Sequence, residues 1–300
     1  MSIYRRLNSR PLVQAGVGLG LLHWAIMFNI SLTHAKPISS LMSNTKPLSA
    51  FDGAIFPNLT LFHSTIGSLQ YLSITRPDLS FAVNCVCQFM HRPTTTYWQV
   101  VKRILRYLKH TISHGLLLKH SSSTRFGAFF DVDWAGCPDD RKSTSGFCVY
   151  LGDNLISWSS KKQPTVARSS TKAEYKAIAN TIVELLWLQF LLRDLGLYQS
   201  HPPRLWCDNI GATYLAANPI FHARTKHVEI DFHFVQDKVA AKALDVRFIS
   251  VKDQLADVFT KPLVSSHFHW LVSKHNVCPS PLSLRGDIEV QQSEIGRAHV

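Results

Sequence analysis

Apolar residues follow helical spacing in one part of the chain and strand spacing in another. Between Phe62 and about Lys119 they recur every three or four residues, most clearly after the three threonines at 94–96. This spacing predicts an amphipathic helix with a threonine N-cap. Its apolar stripe consists of Trp98, Val101, Ile104, Leu105 and Leu108.

From residue 126 the period changes to that of strands. The runs "FGAFFDVDWAG", "STSGFCVYLG" and "DNLISWSS" are separated by short turn signals and predict an antiparallel meander. A long helix over 170–195 follows and ends at Gly196. "PRLWC" and "LDVRFISV" predict two more strands, with helices at 208–218 and 224–243 between them and a last helix over "KDQLADVFTKPL". The order β-β-β-α-β-α-α-β-α predicts an α/β fold with a mixed five-stranded sheet and flanking helices.

The two ends of the chain differ in composition from its middle. Residues 1–34 are apolar, and residues 12–32 are long enough to span a bilayer, but Gln14, His23 and Asn29 interrupt them, so a buried helix or a non-native N-terminus is favoured over a membrane anchor. Residues 35–60 are predicted to be a linker, 61–119 a small helical segment, 124–265 the α/β domain and 266–300 a tail. Within that tail, residues 294–300 have the character of sequencing-adapter read-through.

The charge of the chain indicates a polyanionic partner. Lys and Arg number 32 against 20 Asp and Glu, a formal net charge of +12, which favours nucleic acid or an anionic membrane surface. On the predicted helix, Lys102, Arg103, Arg106 and Lys109 form a basic ridge beside the apolar stripe. Such a ridge is usually a solvated face, and the alternative is contact between a phosphate backbone and residues such as Lys102 and Arg106. The six cysteines show neither zinc nor disulfide spacing, which is typical of a reduced intracellular chain.

Four carboxylates have ordinary local explanations when each is taken alone. Asp131 lies in a strand with one polar face, Glu174 fits a capping box with Thr171, Asp208 fits a helix N-cap, and Asp257 fits a wet face of the last helix. Their positions in separate elements of one α/β layer predict that they converge. Converging carboxylates repel each other unless divalent cations lie between them, so the sequence predicts two Mg²⁺ ions, with Mn²⁺ as an alternative.

Eight motifs occur in order between Phe62 and Leu263. They are "GSLQYLSITRPDLSFAVN", "VKRILRYLKHTISHGLLL", "DVDWAGCPDDRKSTSGFCVYLG", "ISWSSKKQP", "SSTKAEY", "LWCDN", "ARTKHVEIDFHFV" and "DQLADVFTKPL". In these motifs the chain closely resembles the C-terminal part of the Pol polyprotein of copia-type LTR retrotransposons. The resemblance covers the end of the reverse transcriptase region and the ribonuclease H domain.

This resemblance implies a ribonuclease H-like fold preceded by a thumb- or connection-like helical segment. It maps the acidic residues of the family onto Asp131, Glu174, Asp208 and Asp257, and it leaves the role of Asp133 open. The implied reaction is hydrolysis of the RNA strand of an RNA·DNA hybrid to a 5′-phosphate and a 3′-hydroxyl. A Tyr-x-Asp-Asp run does not occur in the sequence, so DNA synthesis by this chain is not expected. A truncated element would fit both ends of the chain.

The resemblance also suggests partners for the site. Ser169, Ser170, Thr171 and Asn209 are expected to reach the nucleic-acid backbone near the metals. Lys226 and His227 would meet phosphates or assist product release or, equally, form a basic solvated helix end. The alternative functions are a non-catalytic nucleic-acid-binding remnant and a membrane-anchored protein. The expected partners are the hybrid and the rest of the reverse transcriptase, in a cytoplasmic retroelement particle or in the nucleus.

Overall fold

The computed structural model describes residues 35–42, 48–50, 52–121, 123–217 and 229–279. The predictions for residues 12–32, for Lys226 and His227 and for residues 294–300 lie outside the described residues. Among the helices that are described, none has the length and hydropathy required to cross a bilayer.

Three helices form the first part of the structure: α1 (Leu59–Ser73), α2 (Ser80–Cys87) and α3 (Thr95–His110), with a 3₁₀ turn at Pro77–Leu79. The predicted apolar stripe of α3 is buried, from Trp98 to Leu108. The N-cap of α3 is Thr94, although its side chain makes no capping hydrogen bond. Helical periodicity therefore identified both the helix and its buried face.

The basic ridge of α3 binds the chain that precedes it. Arg103 donates a hydrogen bond of 3.1 Å to the carbonyl of Leu41, Arg106 one of 2.6 Å to that of Lys36, and Lys109 one of 3.0 Å to that of Ala35. Leu41 itself is buried in the helical core, as is Phe56 further along. The stretch predicted to be a linker thus packs against α3, and three of the four ridge residues are not simply solvated.

The sheet has five strands: β2 (Phe126–Asp133), β3 (Thr144–Leu151), β4 (Asn154–Lys162), β5 (Arg204–Cys207) and β6 (Asp245–Phe248). Their order is β4-β3-β2-β5-β6. The first three are antiparallel neighbours, whereas β5 runs parallel to both β2 and β6. The predicted α/β class with a mixed five-stranded sheet and flanking helices is confirmed.

Side chains of β2 alternate between two hydrophobic cores, as a two-residue period requires. Phe130 and Val132 face a core covered by α4 (Ser170–Asp194), α5 (Ile210–Ala217) and α6 (Glu229–Ala240), whereas Phe129 packs against the core shared with α1–α3. Trp134 lies beyond the end of the strand and is exposed. The helix α4 ends as predicted, since Gly196 adopts a positive φ of 75° after its C-cap.

The last predicted helix, "KDQLADVFTKPL", is not an α-helix. The segment forms two 3₁₀ turns, Val251–Asp253 and Leu255–Phe259, separated by Gln254 in an extended conformation. The amide of Gln254 donates to the carbonyl of Phe130 at 2.9 Å, and its oxygen accepts from the backbone of Ala256 at 3.2 Å. Because this side chain anchors the segment to β2, a continuous helix cannot form there, and the prediction was wrong.

Residues assigned to a tail continue the fold. They form α7 (Ser265–Lys274) and β7 (Val277–Pro279), and β7 pairs antiparallel with β1 (His114–Leu116). Phe268, Leu271 and Val272 of α7 enter the core shared with α1–α3. That core also contains Val258 and Phe259, so helices from both ends of the described chain lie against the same face of the sheet.

Candidate metal centre

Asp131 lies near the end of β2 and is only 3% exposed. It shares a face with Phe129 and Asp133, but this face is not open to water at Asp131. The second 3₁₀ turn crosses it, and the hydroxyl of Thr260 donates a hydrogen bond to Asp131 Oδ2. A solvated strand face therefore does not explain this carboxylate, which lies in a closed polar setting.

Two more aspartates reach the same point from different elements. Asp208 follows β5, the parallel neighbour of β2, and Asp257 lies in the turn Leu255–Phe259 and is 4% exposed. One carboxylate oxygen from each of Asp131, Asp208 and Asp257 lies within 4.8 Å of the other two. Such a spacing allows three carboxylates to bind one cation.

Glu174 lies beside these three aspartates, one turn inside α4. The predicted capping box was wrong because the helix begins at Ser170, where Ser169 is the N-cap and accepts from the backbone of Lys172. The Glu174 side chain is instead buried, and its Oε2 is without a hydrogen-bond partner. It interacts electrostatically with Asp131, Asp208 and Asp257. The structure therefore brings all four predicted acids together, with Glu174 outside the closest group of three.

Burial and mutual repulsion change the proton affinity of these acids. Burial, followed by the charges of Asp131 and Asp208, raises the pKa of Glu174 to about 9. Burial, followed by the charge of Asp131, raises the pKa of Asp257 to about 7, and burial also raises the pKa of Asp208. In each case the ionised form is disfavoured, as expected where desolvated carboxylates adjoin like charges. A bound cation would favour the ionised forms.

A lysine missed in the sequence analysis lies among the acids. Lys261 Nζ is 2.9 Å from Asp257 Oδ1 and 3.3 Å from Asp131 Oδ2. Although burial lowers its pKa, the charges of Asp131 and Asp257 outweigh burial and raise it. The residue stands four positions after Asp257 within a quoted motif, and this spacing was the available signal.

Asp133, whose role the sequence left open, is partly buried. Burial, followed by the charge of Asp131, raises its pKa. Its carboxylate lies against Gly136, where a side chain would collide with it. It is not one of the three aspartates whose oxygens lie within 4.8 Å of one another.

The predicted polar contacts lie where two helices begin. Thr171 belongs to the first turn of α4, and its Oγ1 would be 3.3 Å from a Cβ at Gly211 in the first turn of α5. Asn209 Oδ1 accepts from the backbone of Ala212 at 3.0 Å, so Asn209, like Ser169, caps a helix. Ser169, Ser170 and Thr171 therefore lie at the start of α4, which also carries Glu174, and Asn209 directly follows Asp208.

Lys102 and Arg106 lie at a different place. They line a cavity of about 530 Å³ between α3 and the preceding segment, together with Lys36 and Met42. The four predicted acids do not line it. The structure therefore does not join these two basic residues to the carboxylate cluster.

The donor atoms of the cluster fit Mg²⁺ or Mn²⁺. Asp131, Asp208 and Asp257 offer only carboxylate oxygens, which are hard ligands, and Glu174 adds a buried oxygen without a partner. Hard divalent cations prefer oxygen ligands, whereas zinc sites are usually built with sulfur and nitrogen.

Comparisons with known proteins find transposon polyproteins among the curated relatives of this chain. No family model matches the sequence. The Retrovirus-related Pol polyprotein from transposon RE2 of Arabidopsis thaliana is 47% identical over 88% of this chain and 18% of its own length. An uncharacterized mitochondrial protein of Arabidopsis thaliana is 50% identical over 54% of this chain and 67% of its own length. A solved N-terminal RNase H domain from Mycobacterium tuberculosis, fused to maltose binding protein, covers 50% of this chain and 98% of that chain, with 10% identity and a TM-score of 0.36, too low to support an inference.

The chain belongs to the family of Pol polyproteins of copia-type retrotransposons, as the motifs predicted. It spans 18% of the length of the transposon polyprotein with which it shares 47% identity.

Proposed function

We propose that this chain is a divalent-metal-dependent endonuclease that hydrolyses the RNA strand of RNA·DNA hybrids as part of a retrotransposon polyprotein. The observation that carries the proposal is the convergence of Asp131, Asp208 and Asp257, whose oxygens lie within 4.8 Å of one another, beside a buried Glu174. Membership of a Pol polyprotein family supports a nuclease over other uses of a carboxylate cluster.

The proposed cofactor is Mg²⁺, as two ions, with Mn²⁺ as the alternative. Asp131, Glu174, Asp208 and Asp257 are the proposed ligands and catalytic residues. When bound, such ions lower the pKa of water and stabilise negative charge on a leaving oxygen.

The surrounding residues hold the carboxylates in place. Thr260 fixes one oxygen of Asp131 through its hydroxyl, and the Gln254 side chain bonds to Asp208 while anchored on the carbonyl of Phe130. Ligands held in this way need little reorganisation when charge develops on the phosphate. The proposed hydrolysis forms a bond between a water oxygen and phosphorus and breaks the bond from phosphorus to the 3′-oxygen.

The proposed contacts to the nucleic acid involve two groups of residues. Near the acids, the polar groups of the two helix starts would meet the backbone, and contact with the 2′-hydroxyl would select RNA over DNA. Away from the acids, Lys102 and Arg106, which line the cavity beside α3, would meet phosphates more distant from the cleaved bond. The proposed contacts near the acids are Ser169, Ser170, Thr171 and Asn209. From the sequence alone, Lys226 and His227 are proposed as further phosphate contacts.

The proposed partners, besides the hybrid, are the other regions of the reverse transcriptase within the polyprotein. Its proposed place of action is a cytoplasmic retroelement particle or the nucleus. The retrotransposon origin of the relatives supports both proposals.

The test is cleavage of an end-labelled RNA·DNA hybrid in Mg²⁺ by the wild type and by Asp131→Asn. We expect the substitution to lower the cleavage rate by about a thousandfold, because it removes a ligand charge without changing size. Asp237→Asn, an exposed acid on α6, is the matched control and should cleave like the wild type. Cleavage that survives in Asp131→Asn would refute the assignment. A wild type that binds the hybrid in a salt-sensitive way but does not cleave it would instead indicate a nucleic-acid-binding remnant.

A further inference from the structure

Lys261 contacts the same carboxylates that would bind a divalent cation. Its ammonium lies 2.9 Å from Asp257 Oδ1 and 3.3 Å from Asp131 Oδ2, and its side chain is 33% exposed. A fixed positive charge at these distances offsets part of the repulsion among the acids. The ammonium also occupies carboxylate oxygens that a cation would need as ligands.

The backbone holds Lys261 in this position. Its N–H donates to the carbonyl of Asp257 at 3.3 Å, at the end of the turn that carries Asp257. The preceding residue, Thr260, is buried and bonded to Asp131. The backbone of Lys261 is therefore held in place next to the acids. Its side chain is partly exposed and can turn toward solvent.

We propose that Lys261 is a positioning residue that competes with divalent cations for Asp131 and Asp257, and so sets the cation concentration at which the site fills. The proposal rests on the proposed function, because it assumes that these acids bind a cation. Without a cation, Lys261 holds the two carboxylates in place. When a cation binds, the ammonium leaves their oxygens and faces the solvent side, where a phosphate group of a substrate would approach.

Competition between Lys261 and the cation predicts that removing the lysine charge raises the affinity for the cation. A structural defect would lower this affinity instead. Lys261→Met keeps an unbranched side chain of similar length but removes the charge, so the cation no longer has to displace an ion pair. Cation affinity should then rise about tenfold, since a nearby like charge has been removed. A variant that merely distorted the site would bind the cation more weakly.

The experiment is a Mn²⁺ titration of the metal-stripped full chain, followed by calorimetry and by the electron paramagnetic resonance signal of free Mn²⁺. Lys261→Arg retains the charge and should bind Mn²⁺ within about twofold of the wild type. Lys252→Met, at an exposed lysine of the preceding 3₁₀ turn, controls for the loss of one positive charge at a distance and should also resemble the wild type. Unchanged or weaker Mn²⁺ binding by Lys261→Met, or no binding by any variant, would overturn the proposal.

These results are separable from a failure of the proposed function. If Lys261→Met binds Mn²⁺ more tightly while no variant cleaves the hybrid, the competition holds and the nuclease assignment fails. If hybrids are cleaved but Lys261→Met does not bind Mn²⁺ more tightly, the nuclease assignment holds and the competition fails.

Discussion

Gly146 lies directly opposite Asp131 on the neighbouring antiparallel strand, and a Cβ at Gly146 would be 2.5 Å from the Cβ of Phe259. It would also lie 2.9 Å from Cγ2 of Thr260. The missing side chain thus lets the turn Leu255–Phe259 lie directly on the sheet. This close approach brings Asp257 and Lys261 to Asp131.

Gly146→Ala should displace that turn. We expect a loss of about 1–3 kcal/mol in the free energy of unfolding, typical of overpacking, and a loss of most hybrid cleavage. Urea denaturation and the cleavage assay measure the two effects. Gly127→Ala is the control on β2, because a Cβ there would have no atom of the described structure within 4 Å. Equal behaviour of the two variants would contradict the role of the close approach.

Glu174 should make the metal-free protein less stable as pH rises. Its pKa is about 9 in the folded chain, against 4.5 normally, so its stabilising protonated state is fully present below pH 4.5 and is lost up to about pH 9. In EDTA, the free energy of unfolding of Glu174→Gln should therefore increase relative to that of the wild type as pH rises, by on the order of 5 kcal/mol at pH 8. Chemical denaturation across this range measures the gain.

Mg²⁺ should reduce that difference, because a cation stabilises ionised Glu174. Glu184→Gln on the same helix, whose carboxylate accepts a hydrogen bond from Ser157, is the control for replacing a glutamate of α4 by glutamine. A difference between wild type and Glu174→Gln that stays constant from pH 5 to pH 9 would show that Glu174 is not desolvated beside the other acids.

His275 should make the protein less stable as pH falls, in contrast to Glu174, which does so as pH rises. It is 1% exposed, its Nε2–H donates to the carbonyl of Leu255 at 3.0 Å, and its Nδ1 accepts from the hydroxyl of Tyr150 at 2.6 Å. Burial lowers its pKa from 6.5 to about 4. Its stabilising contribution is therefore present above pH 6.5 and is lost as pH falls toward 4, by about 3 kcal/mol.

His275→Gln removes this titration while leaving a donor and an acceptor. Between pH 7 and pH 4.5, the wild type should lose more stability in urea denaturation than His275→Gln does. His91→Gln, at an exposed position, is the control for replacing a histidine by glutamine. A parallel decline of wild type and His275→Gln would argue against a neutral buried imidazole.

The buried ion pair Arg76–Asp78 should support the helical part of the structure. Asp78 accepts from Arg76 Nη2 at 2.7 Å and from the hydroxyl of Tyr107 at 2.8 Å. Asp78→Asn leaves the Arg76 charge buried without a full partner, so the free energy of unfolding should fall by about 3–5 kcal/mol. Asp245→Asn is the comparison, because it breaks the partly exposed ion pairs of Asp245 with Arg204 and Arg247. It should lower the free energy of unfolding by about 1 kcal/mol or less. Equal losses in thermal denaturation would contradict the difference.

Much of the fold follows from local pattern. The stripe of α3, the meander β2–β4 and the stop of α4 at Gly196 depend on periodicity and on one glycine, which are properties of neighbouring residues. The four acids were selected by their motifs and by the family resemblance. Their convergence depends on contacts between distant parts of the chain, which local pattern does not determine. Asp131 and Thr260, for example, are hydrogen-bonded although they are 129 positions apart.

The tertiary structure decided the contacts that join these distant parts. "DQLADVF" has a spacing compatible with a helix, yet Gln254 bonds to Phe130 and replaces the helix by two 3₁₀ turns. Likewise, the ridge on α3 has the pattern of a solvated face but binds carbonyls of residues 35–41. Sequence alone determined which residues are polar, apolar or acidic and the period at which they recur. The partner of each polar group depended on which distant backbone lay within hydrogen-bonding distance after packing, because buried polar groups must find partners wherever the fold provides them.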